Sequence, residues 1–390
     1  MDPKRFRDHA SGRVVQIGAG EGAYWSFLPD PLPPKLEFDL PLLRTLSEAD
    51  RALGELAGLG RMLPNPRLLI TPFIRREAVS SSRIEGTQAD VYDVYAFEAG
   101  QLYFPGMAPP APEPDVLEVV NYVRALEYGL QRLDTLPVSL RLMRELHERL
   151  MAGVRGSHLT PGEFRRSPNW IGPAGSTLSS APFVPPPVAE MTDALGNLET
   201  YLHGDATLPP LIRVALIHYQ FEAIHPFLDG NGRIGRLLIT LLLVHWGLLP
   251  MPLLYLSAYF EQHRQDYYDL LMAVSERSTW AEWLQFFLTG IIEQSRDAIG
   301  RAKQLQDLGK VWHERIQDTR APGTMHAVAD LVLERPIITA NDVVERVEVS
   351  HPTAMRILRR LEELGVLTEH TGKKRYQQFL ATDIMEILTQ

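Results

Sequence analysis

Between Leu237 and Phe260 the chain reads LLITLLLVHWGLLPMPLLYLSAYF, without one Asp, Glu, Lys or Arg. A stretch of this length could cross a bilayer. Gly247, Pro250 and Pro252 interrupt it after a short apolar run, however, and His245 lies inside it. It therefore reads as a helix buried on all sides and followed by a loop. DVLEVVNYVRALEYGLQRL, SLRLMRELHERLMAGV, VAEMTDALGNLETYL and LIRVALIHYQFEAI carry apolar residues three and four apart, the period of amphipathic helices. From TWAEWLQFFLTGIIEQ through SRDAIGRAKQLQDLGKVWHERIQ the pattern predicts one long helix or two abutting ones. Strand signals are few, the best being a short hairpin over NWIGPAGSTLSSAPFVPPP. Proline clusters at 29–35, 105–115 and 184–188 mark irregular connections, and the fold class expected is mainly α.

With 390 residues the chain has room for two or three domains. A net charge of -9 argues against a surface that is one nucleic-acid footprint, although a single basic module could hide in that total. Cysteine is absent, which excludes disulfides and thiolate metal sites. MDPKRFRDHASGRVV has basic residues with no apolar stretch behind them, so no signal peptide is read and a cytoplasmic protein is expected.

The C-terminal part has its own pattern. Thr339 and Asp342 form a capping box ahead of ANDVVERV, Ser350 opens PTAMRILRRLEELG, and Gly365 stops it. VLTEH, a TGKK turn and RYQQFL then predict a two-stranded wing, so residues 321 to 385 are expected to form a winged helix-turn-helix. Arg356, Arg359 and Arg360, with Lys373, Lys374 and Arg375 at the wing tip, could face phosphates, while Glu362, Glu363 and Glu369 dilute that patch. DNA and protein contact both stay open for this unit.

The densest chemistry is HPFLDGNGRIGR, His225 to Arg236, a loop opening onto a helix N-terminus. Glycines there let backbone N–H groups approach a phosphate, and the helix dipole favours the anion. Asp229 is a hard oxygen ligand suited to Mg²⁺ bridging phosphates. Arg233 and Arg236, three apart, can fork onto phosphate oxygens, and His225 is the one general base of the stretch for neutral pH. Together these residues predict nucleotide chemistry. Upstream, Ser81 and Glu85 of SSSRIEGT share a helix face just before the stop at Gly86. A carboxylate there opposes the helix dipole, so Glu85 calls for a cationic partner elsewhere in the fold.

HPFLDGNGRIGR resembles, at every defining position, the HPFx(D/E)GNGRxxR motif of the Fic family, whose members mostly transfer AMP from ATP to protein hydroxyls. HYQFEAIHPF, PGEFRRSPNWIG at 161–172 and LYLSAYFEQHRQDYYDLL at 254–271 are also similar to that family, over roughly residues 60–295. His263 departs, standing where many relatives carry Asn. The resemblance implies a Fic/Fido helical core with a small β-hairpin flap. The division expected is 1–110 as an N-terminal helical region, 111–297 as the catalytic core, 298–320 as a linker helix and 321–390 as the winged helix.

By this resemblance His225 is the base toward a target Tyr, Thr or Ser hydroxyl and Phe227 anchors the loop. Asp229 holds Mg²⁺, Gly230, Asn231 and Gly232 form the anion hole, and Arg233 and Arg236 take the β- and γ-phosphate sides. Phe227 is counted with the ATP contacts, as are Tyr267 and Tyr268 on the adenine side. The segment from Trp170 to Val184 would hold the target as an added strand. SSRIEG resembles the (S/T)xxxE(G/N) inhibitory motif. Glu85 would then make a bidentate pair with Arg236, Ser81 would bond the DGNG loop, and Gly86 would close the motif. ATP and a target protein are the partners implied; a homodimer is left open, and no membrane is expected. The alternatives are AMP removal with Glu85 positioning a water, another nucleotidyl or phosphoryl transfer, or a DNA-binding regulator.

Overall fold

The structure, a computed structural model, describes residues 1–6, 11–63, 65–100, 113–204, 207–317, 323–372 and 377–389. The chain opens with an antiparallel hairpin, β1 (Gly12–Ile17) and β2 (Tyr24–Pro29). Helices α1 (Leu40–Met62), α2 (Arg67–Ile84), α3 (Val91–Gly100), α4 (Pro114–Arg132) and α5 (Leu140–Leu150) follow. After an irregular stretch come α6 (Val188–His203), α7 (Pro210–Ile224), α8 (Asn231–His245), α9 (Ser257–Gln262), α10 (Arg264–Arg277) and α11 (Trp280–Gln317). The C-terminal part contains α12 (Gly323–Glu334), β3 (Ile337–Ile338), α13 (Ala340–Val347) and α14 (His351–Glu363). It ends with β4 (Thr368–Glu369), β5 (Phe379–Leu380) and α15 (Thr382–Thr389).

The apolar run becomes α8, whose residues from Ile234 to Leu243 are all buried, followed by turns where Gly247 and the prolines end it. Its neighbour α7 is buried nearly all round, and the two form the hydrophobic centre, with α4 and α5 packed on α8. Around this centre, α1 packs along α11, and α2 packs against α4 and α9. The long helix α11 is continuous through 38 residues, so it crosses position 297 without a break. Among the described residues no helix is long and apolar enough to cross a membrane.

Two expectations about strands change. The hairpin expected within 169–187 is one antiparallel bridge, Ile171 to Phe183, with Ile171 N donating to Phe183 O at 2.9 Å. Five prolines and two glycines in that segment leave too few free N–H groups for a longer ladder. The N-terminal hairpin, in contrast, was unforeseen; Gly18, Gly20 and Gly22 make its connection. In the C-terminal part, β3, β5 and β4 form a three-stranded antiparallel sheet, in that order, tied to α14 where Glu369 N donates to Glu362 Oε1 at 3.1 Å. The capping box is present: Asp342 N donates to the Thr339 hydroxyl at 3.3 Å, and Thr339 N to Asp342 Oδ2 at 2.7 Å. Lys373, Lys374 and Arg375 lie outside the described residues.

Candidate active site

The site is built where α7 stops and α8 starts. His225 caps α7 in the left-handed conformation, φ 49 and ψ 63, with Pro226 after it to prevent continuation. Five residues on, Gly230 takes φ 78 and leads into α8. A Cβ at Gly230 would come within 3.0 Å of the Met151 sulfur, so both backbone and space demand glycine there. The loop is locked from inside by Asn231, which accepts from Phe227 N and donates to Phe227 O, each at 2.8 Å. Phe227 is fully buried and stacks on His147 with ring centroids 3.8 Å apart and planes 6° apart.

His147 is a residue the sequence reading missed. Its Nδ1 accepts from Gly162 N at 2.9 Å, which leaves Nε2 to carry the proton and donate to Asp229 O at 3.0 Å. Burial pushes this imidazole down to about 4, so it is neutral near pH 7. Nothing in ELHERL marks it out, because its partners lie in segments distant along the chain.

His225 is likewise held neutral. Burial pushes it down to about 4, and its Nδ1 sits 3.3 Å from Glu222 O. Since a carbonyl can only accept, the proton resides on Nδ1 and the Nε2 lone pair is free to take another. Glu222 faces α8 at Gly235, where a Cβ would lie 2.3 Å from its Oε1. Burial raises its carboxyl to about 8, despite the opposing effect of Arg236.

The two arginines are both buried and both already engaged. Arg236 donates from Nε to the Ser81 hydroxyl at 2.9 Å, and from Nη2 to Ser81 O at 2.8 Å and Glu85 Oε1 at 2.7 Å. The Arg236–Glu85 contact is thus single rather than bidentate. Ser81 binds Arg236 rather than the DGNG loop, since its hydroxyl lies fully buried one turn before Glu85. Burial works to raise the Glu85 carboxyl, but the Arg236 guanidinium wins and holds it below the ordinary carboxylate range. Gly86 ends α2 with φ +99. Glu85 also reaches Gly232 of the loop, where a Cβ would stand 2.2 Å from its Oε1.

Arg233 donates from Nη1 to Glu118 Oε2 at 3.1 Å, and its Nη2 lies 3.7 Å from Asp229 Oδ1. Glu118, also missed from sequence, is a buried carboxylate on α4. It additionally accepts from Arg155 Nε at 2.7 Å and from the Thr87 hydroxyl at 3.2 Å, just past Glu85.

Asp229 is open toward solvent, with Oδ1 accepting from Gly230 N at 2.6 Å. Among the described residues no group of three or more His, Asp or Glu could hold a metal ion by itself. One accessible carboxylate beside an anion-binding loop suits a Mg²⁺ that takes most of its remaining ligands from phosphates and water. Tyr268 is exposed at the rim, whereas Tyr267 is buried and bonded through its hydroxyl to His218 Nε2 at 2.8 Å. Phe227 and Tyr267 thus lie within the packed interior, and of the two tyrosines it is Tyr268 that reaches solvent. His263 packs beside Tyr259, ring centroids 4.6 Å apart.

Two family models match: "Fic/DOC family N-terminal" over residues 43–131 and "Fic/DOC family" over residues 137–243, together about half of the chain. The chain is similar to the "Protein adenylyltransferase Fic" of Aedes aegypti, 32% identical over 141 residues, or 36% of this chain and 25% of that protein. It is 30% identical over 162 residues to the protein of the same name from Drosophila erecta, covering 41% of this chain and 29% of that protein. The alignments thus span under a third of these curated relatives. Among solved structures, a Fic family protein from Desulfovibrio desulfuricans G20 aligns with a TM-score of 0.56 at 19% identity, covering 90% of this chain and 98% of that one. Fic-1 (aa134–508) from C. elegans aligns with a TM-score of 0.50 at 19% identity, over 67% of this chain and 74% of that one. At these identities the structural likeness concerns the fold.

Proposed function

The chain belongs to the Fic/DOC family, and on that premise we propose that it transfers AMP from ATP to a Tyr, Thr or Ser hydroxyl of a protein, itself included, with Glu85 holding the activity in check. The observation that carries the reading is the 2.7 Å contact between Arg236 and Glu85 at the mouth of a glycine loop that begins a helix. His225 Nε2 takes the hydroxyl proton while the hydroxyl oxygen attacks the α-phosphorus and the bond to pyrophosphate breaks. Backbone N–H groups of Asn231 and Gly232, at the N-terminus of α8, would face the growing negative charge, joined by that of Gly230 once Asp229 turns to a cation. Arg233 and Arg236 serve the outer phosphates, Arg236 once Glu85 releases it. A Mg²⁺ on Asp229 would neutralise phosphate charge, in keeping with a family that generally uses ATP with Mg²⁺. The segment around the Ile171–Phe183 bridge, carrying exposed Trp170, is where an extended target would lie.

The functional units proposed are residues 1–110 with the inhibitory motif, 111–297 as catalytic core, 298–320 as linker and 321–390 as a winged helix. For the last, the reading is supported by the α13–α14 pair and by the three-stranded sheet tied to α14. Arg359 and Arg360 are taken up by Glu362 at 2.7 Å and Glu363 at 2.5 Å, which weighs toward protein contact over DNA.

Incubation with Mg²⁺ and α-labelled ATP, against γ-labelled ATP, tests the reaction. Label from the α position alone is expected, because the attack expels pyrophosphate. Label retained from the γ position would overturn the reading in favour of phosphoryl transfer.

A further inference from the structure

Arg165 is 1% exposed, yet no carboxylate pairs with it among the described residues. Its partners are all backbone carbonyls. Nε donates to His225 O at 2.9 Å, Nη2 to Pro186 O at 2.5 Å and Ile224 O at 3.4 Å, and Nη1 to Ser167 O at 3.2 Å. Its own N–H donates to Pro226 O at 2.9 Å. A buried cation without a counter-ion is costly, and an apolar side chain would fill the same space more favourably. What the guanidinium adds is a planar fork that reaches several acceptors at once.

Those acceptors lie on two segments that have to be registered with each other. One is the end of α7, where His225 keeps a left-handed backbone that a non-glycine residue adopts only when held there. The other is the stretch around Pro186. Just before it, the Ser26 hydroxyl donates to Pro185 O at 2.7 Å, Phe27 N donates to Val184 O at 2.9 Å, and Phe183 bridges to Ile171. Arg165 is the side chain that ties this stretch to the carbonyl of His225.

We propose that Arg165 is a positioning residue that fixes the distance between the bridged 171–183 segment and the His225 imidazole, and so sets where an incoming hydroxyl meets its base. This rests on the AMP-transfer reading. It contacts neither ATP nor target; it acts through the His225 backbone. Its positive charge also helps to keep the His225 imidazole unprotonated.

The test uses the full chain carrying Glu85→Gly, with self-labelling from α-labelled ATP as the readout. Adding Arg165→Lys keeps the charge and loses the fork. It is expected to lower the maximal labelling rate at least tenfold, while the dissociation constant for Mg²⁺-ATP changes less than twofold and the melting temperature by only a few degrees. Adding Arg165→Gln instead removes the charge, and the acid limb of its pH–rate profile is expected to move up toward the ordinary histidine range. A Lys variant with the parent's rate overturns the proposal. So does a loss shared equally by rate, ATP affinity and melting temperature, which would mark Arg165 as fold support only. A parent Glu85→Gly protein that never incorporates AMP would remove the AMP-transfer reading itself, and this inference with it.

Discussion

Arg236 and Glu85 meet at 2.7 Å although 151 residues separate them in sequence, and Ser81 of the same helix accepts from Nε and Nη2 of the guanidinium. On the proposed reading, the end of α2 occupies the arginine that the outer phosphates of ATP would need. Replacing Glu85 by Gly deletes the competing carboxylate without adding bulk beside Gly232. Initial rates of AMP incorporation at saturating Mg²⁺-ATP are expected to rise at least about tenfold, equivalent to about 1.4 kcal/mol. Adding Arg236→Ala should abolish the gain. Equal rates for wild type and Glu85→Gly would show that Glu85 does not restrain the reaction.

His225→Ala, placed in the Glu85→Gly protein, should end labelling and leave nucleotide binding nearly intact, because the imidazole acts on the hydroxyl. With the intact base held at about 4, its neutral form is already complete at pH 6. The rate should therefore stay level from pH 6 to 8 as far as this group is concerned, and fall only as pH nears 4. A limb centred near 6.5 would show that the working imidazole is not the buried one.

His147 offers a test by stability. Its folded-state value of about 4 lies below the ordinary histidine value near 6.5, so on acidification the unfolded chain takes up its proton first. The stability this residue contributes is complete above 6.5 and drains away as pH falls toward 4. His147→Phe keeps a ring on Phe227 and cannot titrate. The gap in melting temperature between wild type and this variant should accordingly narrow between pH 7 and pH 5; a constant gap would refute the assignment.

Glu118→Ala leaves Arg233 buried with no carboxylate at hydrogen-bonding distance. Removing one partner of a buried pair costs about 3–5 kcal/mol. Denaturant titration should report a loss of that order, and a loss below about 1 kcal/mol would mean that Asp229 or water takes over the charge.

What could be read from the sequence was whatever is contiguous. His225 to Arg236 carries its turn, its helix start and its charged side chains within one loop and one helical turn, and the carboxylate of Glu85 could be seen to need a distant cation from its place at a helix end. His147 and Glu118 could not be found this way. Each is an ordinary residue of an amphipathic helix, and its role arises from carbonyls or guanidiniums that the fold brings from elsewhere. The single rather than paired contact of Glu85 was equally invisible, since it depends on Ser81 claiming Arg236 Nε. The hairpin β1–β2 was hidden because short runs such as RVVQI and YWSFL are too brief to separate from loop by period alone.

The order of Glu85 and Arg236 along the chain has a consequence for synthesis. Chains are made from the N-terminus and their regions fold as they emerge. By the time Arg236 leaves the ribosome, α2 with Ser81 and Glu85 has long been available to receive it. No stage of translation then presents the finished loop before α2 has been made. If Glu85 restrains transfer as proposed, a nascent chain is held back from its first complete loop onward, and a fragment released early carries the restraining helix without the loop it acts on.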